Sequence, residues 1–222
     1  MPTDLHHHLQ TRKLIYLITN GETTPETTAA SEDFSRLLDL AKAAVSAEID
    51  LLQIREKDLS ARVLYELTTS IANLTRGTQT KLLVNDRADI AASAGADGVH
   101  LATNSLPANV IRSAFGDNFL IGVSTHSLSE AVAARANNAD FIVFGPVFDT
   151  PTKKGYGEPQ GLKQLETITA QLEGFPVLAL GGVSIETVGD CVRAGAQGVA
   201  AIRMLNDPLR LASVVDQIRN SF

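Results

Sequence analysis

In the stretch QIREKD, Gln53, Arg55 and Lys57 alternate with their neighbours. If extended backbone persists that far, an amide, a guanidinium and an ammonium project from one side of a single strand. Such a triplet suits a polyanion, because the guanidinium forks onto two oxygens and the ammonium adds a compact charge. The plain alternative is a solvated strand end whose cations pair with Glu56 and Asp58. In VNDR, an apolar run ends on Asn85 and Asp86. A carboxylate there can ligate Mg2+, which takes carboxylates, waters and phosphate oxygens; otherwise it caps a helix starting near Arg87. GVSTHS carries Ser124 and His126. A serine near a histidine suggests a hydrolase, yet the chain contains no G-x-S-x-G elbow. His126 is the histidine best suited to moving a proton, and Ser127 is a cap for the helix that follows.

Two further stretches favour anions. FGPVFDTPTKKGYGEPQGL opens from an apolar run into Thr150, Thr152 and Lys153. ALGGVS offers the backbone N–H groups of Gly181 and Gly182 at a helix start, a ready anion site. The threonines and lysine can close over an anion seated on those glycines and the end of the last strand, where Arg203 stands. Two anion-favouring clusters imply substrates carrying two anionic groups.

These residues need a scaffold that brings them to one rim. Eight short apolar runs punctuate the chain: KLIYLIT (13–19), IDLLQIR (49–55), KLLVN (81–85), DGVHL (97–101), FLIGVS (119–124), DFIVFG (140–145), PVLALGG (176–182) and GVAAI (198–202). They are rich in Val, Ile and Leu, as strands buried on both faces are. Between them lie helix-spaced segments such as EDFSRLLDLAKAAVSA and IETVGDCVRAG. One junction recurs in SAGADGVHLA, ANNADFIVFG and RAGAQGVAAI, and more loosely in SAEIDLLQIR: a helix end, Ala, a polar residue, then a strand. Alternating strand and helix implies parallel strands joined by right-handed crossovers. Eight units in this length predict a single α/β domain, a (β/α)8 barrel over 13–222 behind a flexible segment at 1–12. An open doubly wound sheet needs a glycine-rich fingerprint after its first strand, and ITNGETTPETT is not one. In such barrels the site lies at the C-terminal strand ends. Those ends carry Gln53, Arg55, Lys57, Asn85, Asp86, His100, Ser124, His126, Thr150, Thr152, Lys153 and Arg203, whereas the opposite ends carry turn residues.

The 222 residues are 44% hydrophobic and 20% charged, with a formal net charge of −6. That balance, without a Lys/Arg block, argues against nucleic-acid binding. No apolar run approaches the ~20 residues that span a bilayer, and the N-terminus has no secretory pattern. A cytoplasmic protein without a membrane partner is expected, homo-oligomeric assembly being compatible with it. The single cysteine, Cys191, excludes an internal disulfide. The histidines at 6–8 belong to the flexible end. Loop 20–30 is polar and proline-punctuated, the composition of a mobile segment.

QIREKD, VNDR…DIA, GADGVHL, IGVSTHS, FGPVFDTPTK and LALGGV…AGAQGVA occur in that order, and together they resemble the thiamine phosphate synthase and thiazole tautomerase family, from about residue 13 to 205. The resemblance implies a (β/α)8 enzyme joining hydroxymethylpyrimidine diphosphate to hydroxyethylthiazole phosphate with release of pyrophosphate, through a pyrimidine carbocation that the thiazole nitrogen captures. It implies that Gln53, Arg55, Lys57 and Asn85 hold the pyrimidine diphosphate, that Asp86 binds Mg2+, and that Ser124 and Lys153 complete the pyrophosphate pocket. Thr150, Thr152, Gly182, Ile202 and Arg203 would hold the thiazole phosphate. One departure stands out. The family pattern after GVHL continues G-Q-x-D, whereas this chain reads ATNS and has Ser105 at the aspartate position. Metal-independent thiazole tautomerisation, with His126 as proton shuttle, is the alternative within the family. A non-catalytic phosphate-binding barrel is the alternative outside it, and the intact Lys57, Asp86, Thr150, Thr152 and Lys153 speak against it.

Overall fold

The structure is a computed structural model that describes residues 11–149 and 158–222. The predicted segment at 1–12 therefore lies almost wholly outside the described residues, as do Thr150, Thr152 and Lys153. Eight parallel strands close into a barrel in sequence order. They are β1 (Leu14–Ile18), β2 (Leu51–Ile54), β3 (Lys81–Asn85), β4 (Gly98–Leu101), β5 (Leu120–Thr125), β6 (Phe141–Phe144), β7 (Val177–Leu180) and β8 (Gly198–Ala201). The helices among the described residues are α1 (Glu32–Ser46), α2 (Ala61–Thr75), α3 (Ala88–Ala94), α4 (Ala108–Phe115), α5 (Leu128–Ala136), α6 (Gly161–Gln171), α7 (Ile185–Arg193) and α8 (Leu211–Asn220). Each of the eight predicted runs holds one strand, β5 extending one residue past its run to Thr125.

Alternation along each strand divides the core in two. Leu14, Tyr16, Ile18, Leu51, Leu83, Leu120, Phe141, Val143, Leu178 and Ala200 fill the barrel interior. Their neighbours Ile15, Leu17, Leu52, Val84, Val99, Ile121 and Ile142 face outward and pack under the helices. On α1 the buried Phe34, Leu37, Leu40, Ala41 and Ala44 repeat at helical spacing and present one apolar stripe to the strands. Ser60 accepts from Val63 N–H, Ser127 caps α5 by accepting from Glu130 N–H, and Ser184 with Thr187 forms a capping box on α7.

The recurring junction has a structural job. Its acidic residue starts an even-numbered strand and reaches sideways to the preceding odd one. Asp50 accepts from Ile15 N–H (2.8 Å), Asp97 from Leu82 N–H (2.8 Å) and Asp140 from Ile121 N–H (2.6 Å). In the fourth copy Gln197 stands in place of aspartate, and its own N–H donates to Val177 O (2.8 Å). Cations neutralise these carboxylates at the N-terminal end of the barrel. Arg219 and Arg12 lie 2.7 and 3.1 Å from Asp50, Lys81 lies 3.8 Å from Asp97, and Arg112 donates to both oxygens of Asp140. The carboxylates of the repeat are thus internally paired. Cys191 is buried, and burial pushes its thiol up to about 12, so it is an inert core residue.

Candidate functional site

The C-terminal end has the opposite electrostatic character. A cavity of about 490 Å3 opens there, lined by Gln53, Arg55, Lys57, Asn85, His100, Ser124, His126, Gly181, Gly182, Ile202 and Arg203 among others. Alternation turns Gln53 (β2), Asn85 (β3), His100 (β4) and Ser124 (β5) into this space. No carboxylate is among the described lining residues, although the chain holds 25 Asp and Glu. Arg55, Lys57 and Arg203 form no ion pair with any described residue, in contrast to the paired cations below. A second cleft of about 560 Å3 lies at the N-terminal end, lined by Glu166, Glu173 and Arg193. Its arginine is spent on Asp190, so that cleft has no unpaired cation to offer.

The amide of Gln53 is buried and donates to Asn85 Oδ1 at 3.2 Å, which fixes both side chains on adjacent strands. The backbone of Arg55 is anchored by its N–H donating to Thr19 Oγ1 at 2.8 Å. Glu56 does not pair with the neighbouring cations. It points to the other side of the strand, is buried, and accepts from Gly21 N–H (3.1 Å), Thr23 N–H (3.2 Å) and the Thr23 hydroxyl (2.8 Å). The base of loop 20–30 is therefore tied to the same strand end that presents Arg55 and Lys57. The alternative in which Glu56 pairs with these cations does not hold; its partners follow the adjacent strand β1.

Asp86 follows β3 in the left-handed region, at φ 59°. Helix α3 begins at Ala88 with Arg87 in the capping position and no side-chain cap, so Asp86 is not the cap of that helix. Its N–H donates to His100 O at 3.0 Å, the Asn85 amide lies 3.4 Å from Oδ2, and the Ser105 hydroxyl donates to Oδ1. Ser105 thus meets Asp86 directly, at the position where the family pattern has a second carboxylate.

On the far wall, β6 and β7 continue pairing beyond their ends. Val147 N–H donates to Leu180 O (2.8 Å) and Phe148 N–H to Gly181 O (2.9 Å). Gly181 and Gly182 have φ 96° and 65°, and side chains there would strike Pro146 and Asp149 O at 2.5 Å. Glycine is required by both conformation and space. The N–H groups of Gly182, Val183 and Arg203 find no protein acceptor among the described residues and border the cavity, as an anion site demands. His126 Nδ1 contacts Gly145 O, which can only accept; Nδ1 therefore carries the proton and Nε2 is the basic nitrogen.

His100 forms part of the cavity floor. It is buried, its Nε2 lies 2.9 Å from Ser124 Oγ, and its ring packs near Tyr16 and Phe141 at centroid distances of 5.6 and 6.0 Å. Burial pushes its pKa down from 6.5 to about 4, with Asp86 opposing and Arg55 reinforcing the fall. The imidazole is neutral in the native state at neutral pH. Between these two values the unfolded chain takes up a proton that the native histidine refuses, so stability falls as pH drops through that window. The full window corresponds to about 3 kcal/mol. Urea unfolding of His100→Gln should show a shallower loss of stability from about pH 7 to about pH 4.5 than the wild type. An identical slope in both proteins would remove His100 as a source of acid lability.

Comparison with known proteins follows the same residues. Residues 15–205 match the model of a family described as thiamine monophosphate synthase. A protein of Geobacter sulfurreducens, provisionally named a thiamine-phosphate synthase, is 47% identical over 173 residues, covering 78% of this chain and 81% of its own. The thiamine-phosphate synthase of Roseiflexus castenholzii is 35% identical over 191 residues, covering 86% and 80%. A solved thiamine phosphate pyrophosphorylase from Pyrococcus furiosus superposes with a TM-score of 0.77 at 26% identity, covering 96% of each chain.

Proposed function

The chain belongs to the thiamine monophosphate synthase family, and from that premise we propose that its C-terminal cavity joins hydroxymethylpyrimidine diphosphate to hydroxyethylthiazole phosphate, releasing pyrophosphate. One observation carries the reading: a protein of net charge −6 lines this cavity with Arg55, Lys57 and Arg203 and, among the described residues, with no carboxylate. Such a cavity selects anions at both ends. Arg55, Lys57 and Ser124 face the diphosphate, and Gln53 with Asn85 orients the pyrimidine. The N–H groups around Gly182 and Arg203 receive the thiazole phosphate, with Ile202 beside them. Bond cleavage transfers an electron pair to the departing pyrophosphate. Fixed donors aimed at that oxygen stabilise charge where it develops, usually the largest catalytic contribution. The thiazole nitrogen then forms the new C–N bond to the electron-poor methylene carbon.

The residues present fit Mg2+. The ion commonly takes one or two protein carboxylates and completes its shell with waters and substrate phosphates. Asp86 offers one exposed carboxylate at the cavity edge, and no group of three such ligands occurs among the described residues. The diphosphate would supply the remaining oxygens. When bound, Mg2+ would neutralise charge on the leaving group. Thr150, Thr152 and Lys153, between the two phosphates in chain order, belong to this proposal on the family pattern alone.

The direct test is a coupling assay on purified protein with both phosphorylated substrates, with and without Mg2+. Thiamine phosphate formed only with Mg2+ supports the reading; no product from folded protein overturns it. The second reading, thiazole tautomerisation, rests on the basic Nε2 of His126, and the two are separable in one pair of variants. Lys57→Ala should lower coupling by about 100-fold while sparing tautomerisation, and His126→Asn should do the reverse if the second activity exists. Equal losses in both assays would undo the assignment of Lys57 to the pyrophosphate.

A further inference from the structure

We propose that His100 is a positioning residue that donates from Nε2 to Ser124 Oγ, forcing the serine hydroxyl to present its proton to the substrate. The role in turnover rests on the coupling reaction above; the hydrogen-bond assignment does not. A serine hydroxyl has one proton, and it points either at the histidine or into the cavity. The 2.9 Å contact between His100 Nε2 and Ser124 Oγ leaves both choices open. The other side of the ring decides. His100 Nδ1 is buried without a hydrogen-bond partner among the described residues, and so is the Tyr16 hydroxyl. Their rings sit 5.6 Å apart, tilted by 58°, in one layer of the barrel interior.

A neutral imidazole has one donor and one acceptor nitrogen. With Nδ1 as acceptor, what is left unpartnered is only a lone pair, and Nε2–H must donate to Ser124. With Nδ1 as donor, a buried N–H is left without an acceptor, the costlier of the two choices. The Ser124 proton would also be consumed by His100 Nε2, turning only lone pairs toward an anion. Gly122 makes the layer possible, because a Cβ there would lie 2.7 Å from Nδ1 and 2.3 Å from Phe141. His100 and Ser124 thus form a polar pair at the floor of the cavity, ending in a donor.

The test combines a spectrum with a conservative pair. Long-range 15N–1H correlation at neutral pH should show His100 as the Nε2–H tautomer. A wild-type Nδ1–H tautomer overturns the proposal. In steady-state coupling, His100→Gln places an amide N–H near the Nε2 position, whereas His100→Asn ends near Nδ1 and cannot reach Ser124. His100→Asn should lower kcat by about 30-fold with KM changed little, and His100→Gln should recover most of that loss. In a Ser124→Ala background the Asn and Gln variants should become equivalent. Equal effects of the two variants on kcat in the wild-type background, or an undiminished difference without Ser124, would each overturn it. A wild type that makes no thiamine phosphate would overturn the turnover role, and the tautomer spectrum would still decide the hydrogen bond.

Discussion

Asp86→Asn should leave the barrel folded and reduce Mg2+-dependent coupling by about 1000-fold. The substitution is chosen on conformational grounds. Asp86 sits at φ 59°, where an alanine would add backbone strain, whereas asparagine tolerates the left-handed region and keeps the shape of the side chain. Only the charge changes. Its N–H bond to His100 O should persist, and the Ser105 hydroxyl can still donate to the amide oxygen. Ser105, where the family pattern has a second carboxylate, makes this the more severe test, since a hydroxyl is a weak substitute for a charged ligand. Turnover titrated against Mg2+, with a thermal melt as control, decides the matter. Wild-type kcat at saturating Mg2+ would take Asp86 out of the metal site.

Gly182→Ala should raise KM for the thiazole phosphate by about 100-fold, the scale on which small misplacements act in a preorganised site. At φ 65° a new Cβ would lie 2.5 Å from Asp149 O and 2.7 Å from the Phe148 Cβ. Neither group is the free end of a flexible side chain, so the loop after β7 must move away from the loop after β6. The N–H groups of Gly182 and Val183 move with it. KM for the pyrimidine diphosphate should change by less than about threefold, because Gln53, Arg55 and Asn85 hang on the opposite wall. Gly77→Ala is the matched control: its φ is 78°, but nothing lies within 4 Å of the added carbon. It should cost about 1 kcal/mol of stability and leave both KM values alone. A parallel rise in both KM values for Gly182→Ala would mean that the two anion clusters are not separate.

The barrel was legible because burial on both faces leaves compact apolar runs that turn residues delimit, and every run proved to hold a strand. Strand alternation put Gln53, Arg55 and Lys57 on one side, and all three line the cavity, as do Asn85 and Ser124 from their strand ends. What remained hidden was contact between residues distant in sequence. QIREKD gives no sign that Glu56 reaches Gly21 and Thr23, because that depends on how β1 and β2 lie in register. GVHL puts His100 inside, but only the closed barrel brings it to Ser124 across the β4–β5 pair. On its own VNDR favoured Asp86 as a helix cap, and its left-handed backbone and the start of α3 at Ala88 removed that role. The junction repeat was visible, and its function as a sideways carboxylate bond was not.

That repeat groups the strands into two-strand modules. Each bonded pair, Asp50 with Ile15, Asp97 with Leu82 and Asp140 with Ile121, lies inside a two-strand module. The turns between modules pass through Gly77, Gly116 and Gly174, all at positive φ with open space around them. Breaking the chain at Gly116 would keep all three carboxylate-to-N–H bonds within their own pieces, although it would part Arg112 from Asp140. Breaking it at Gly95 would put Asp97 and Leu82 on different pieces. The barrel accordingly has natural seams, and reassembly from separately made fragments should succeed at the first position more readily than at the second.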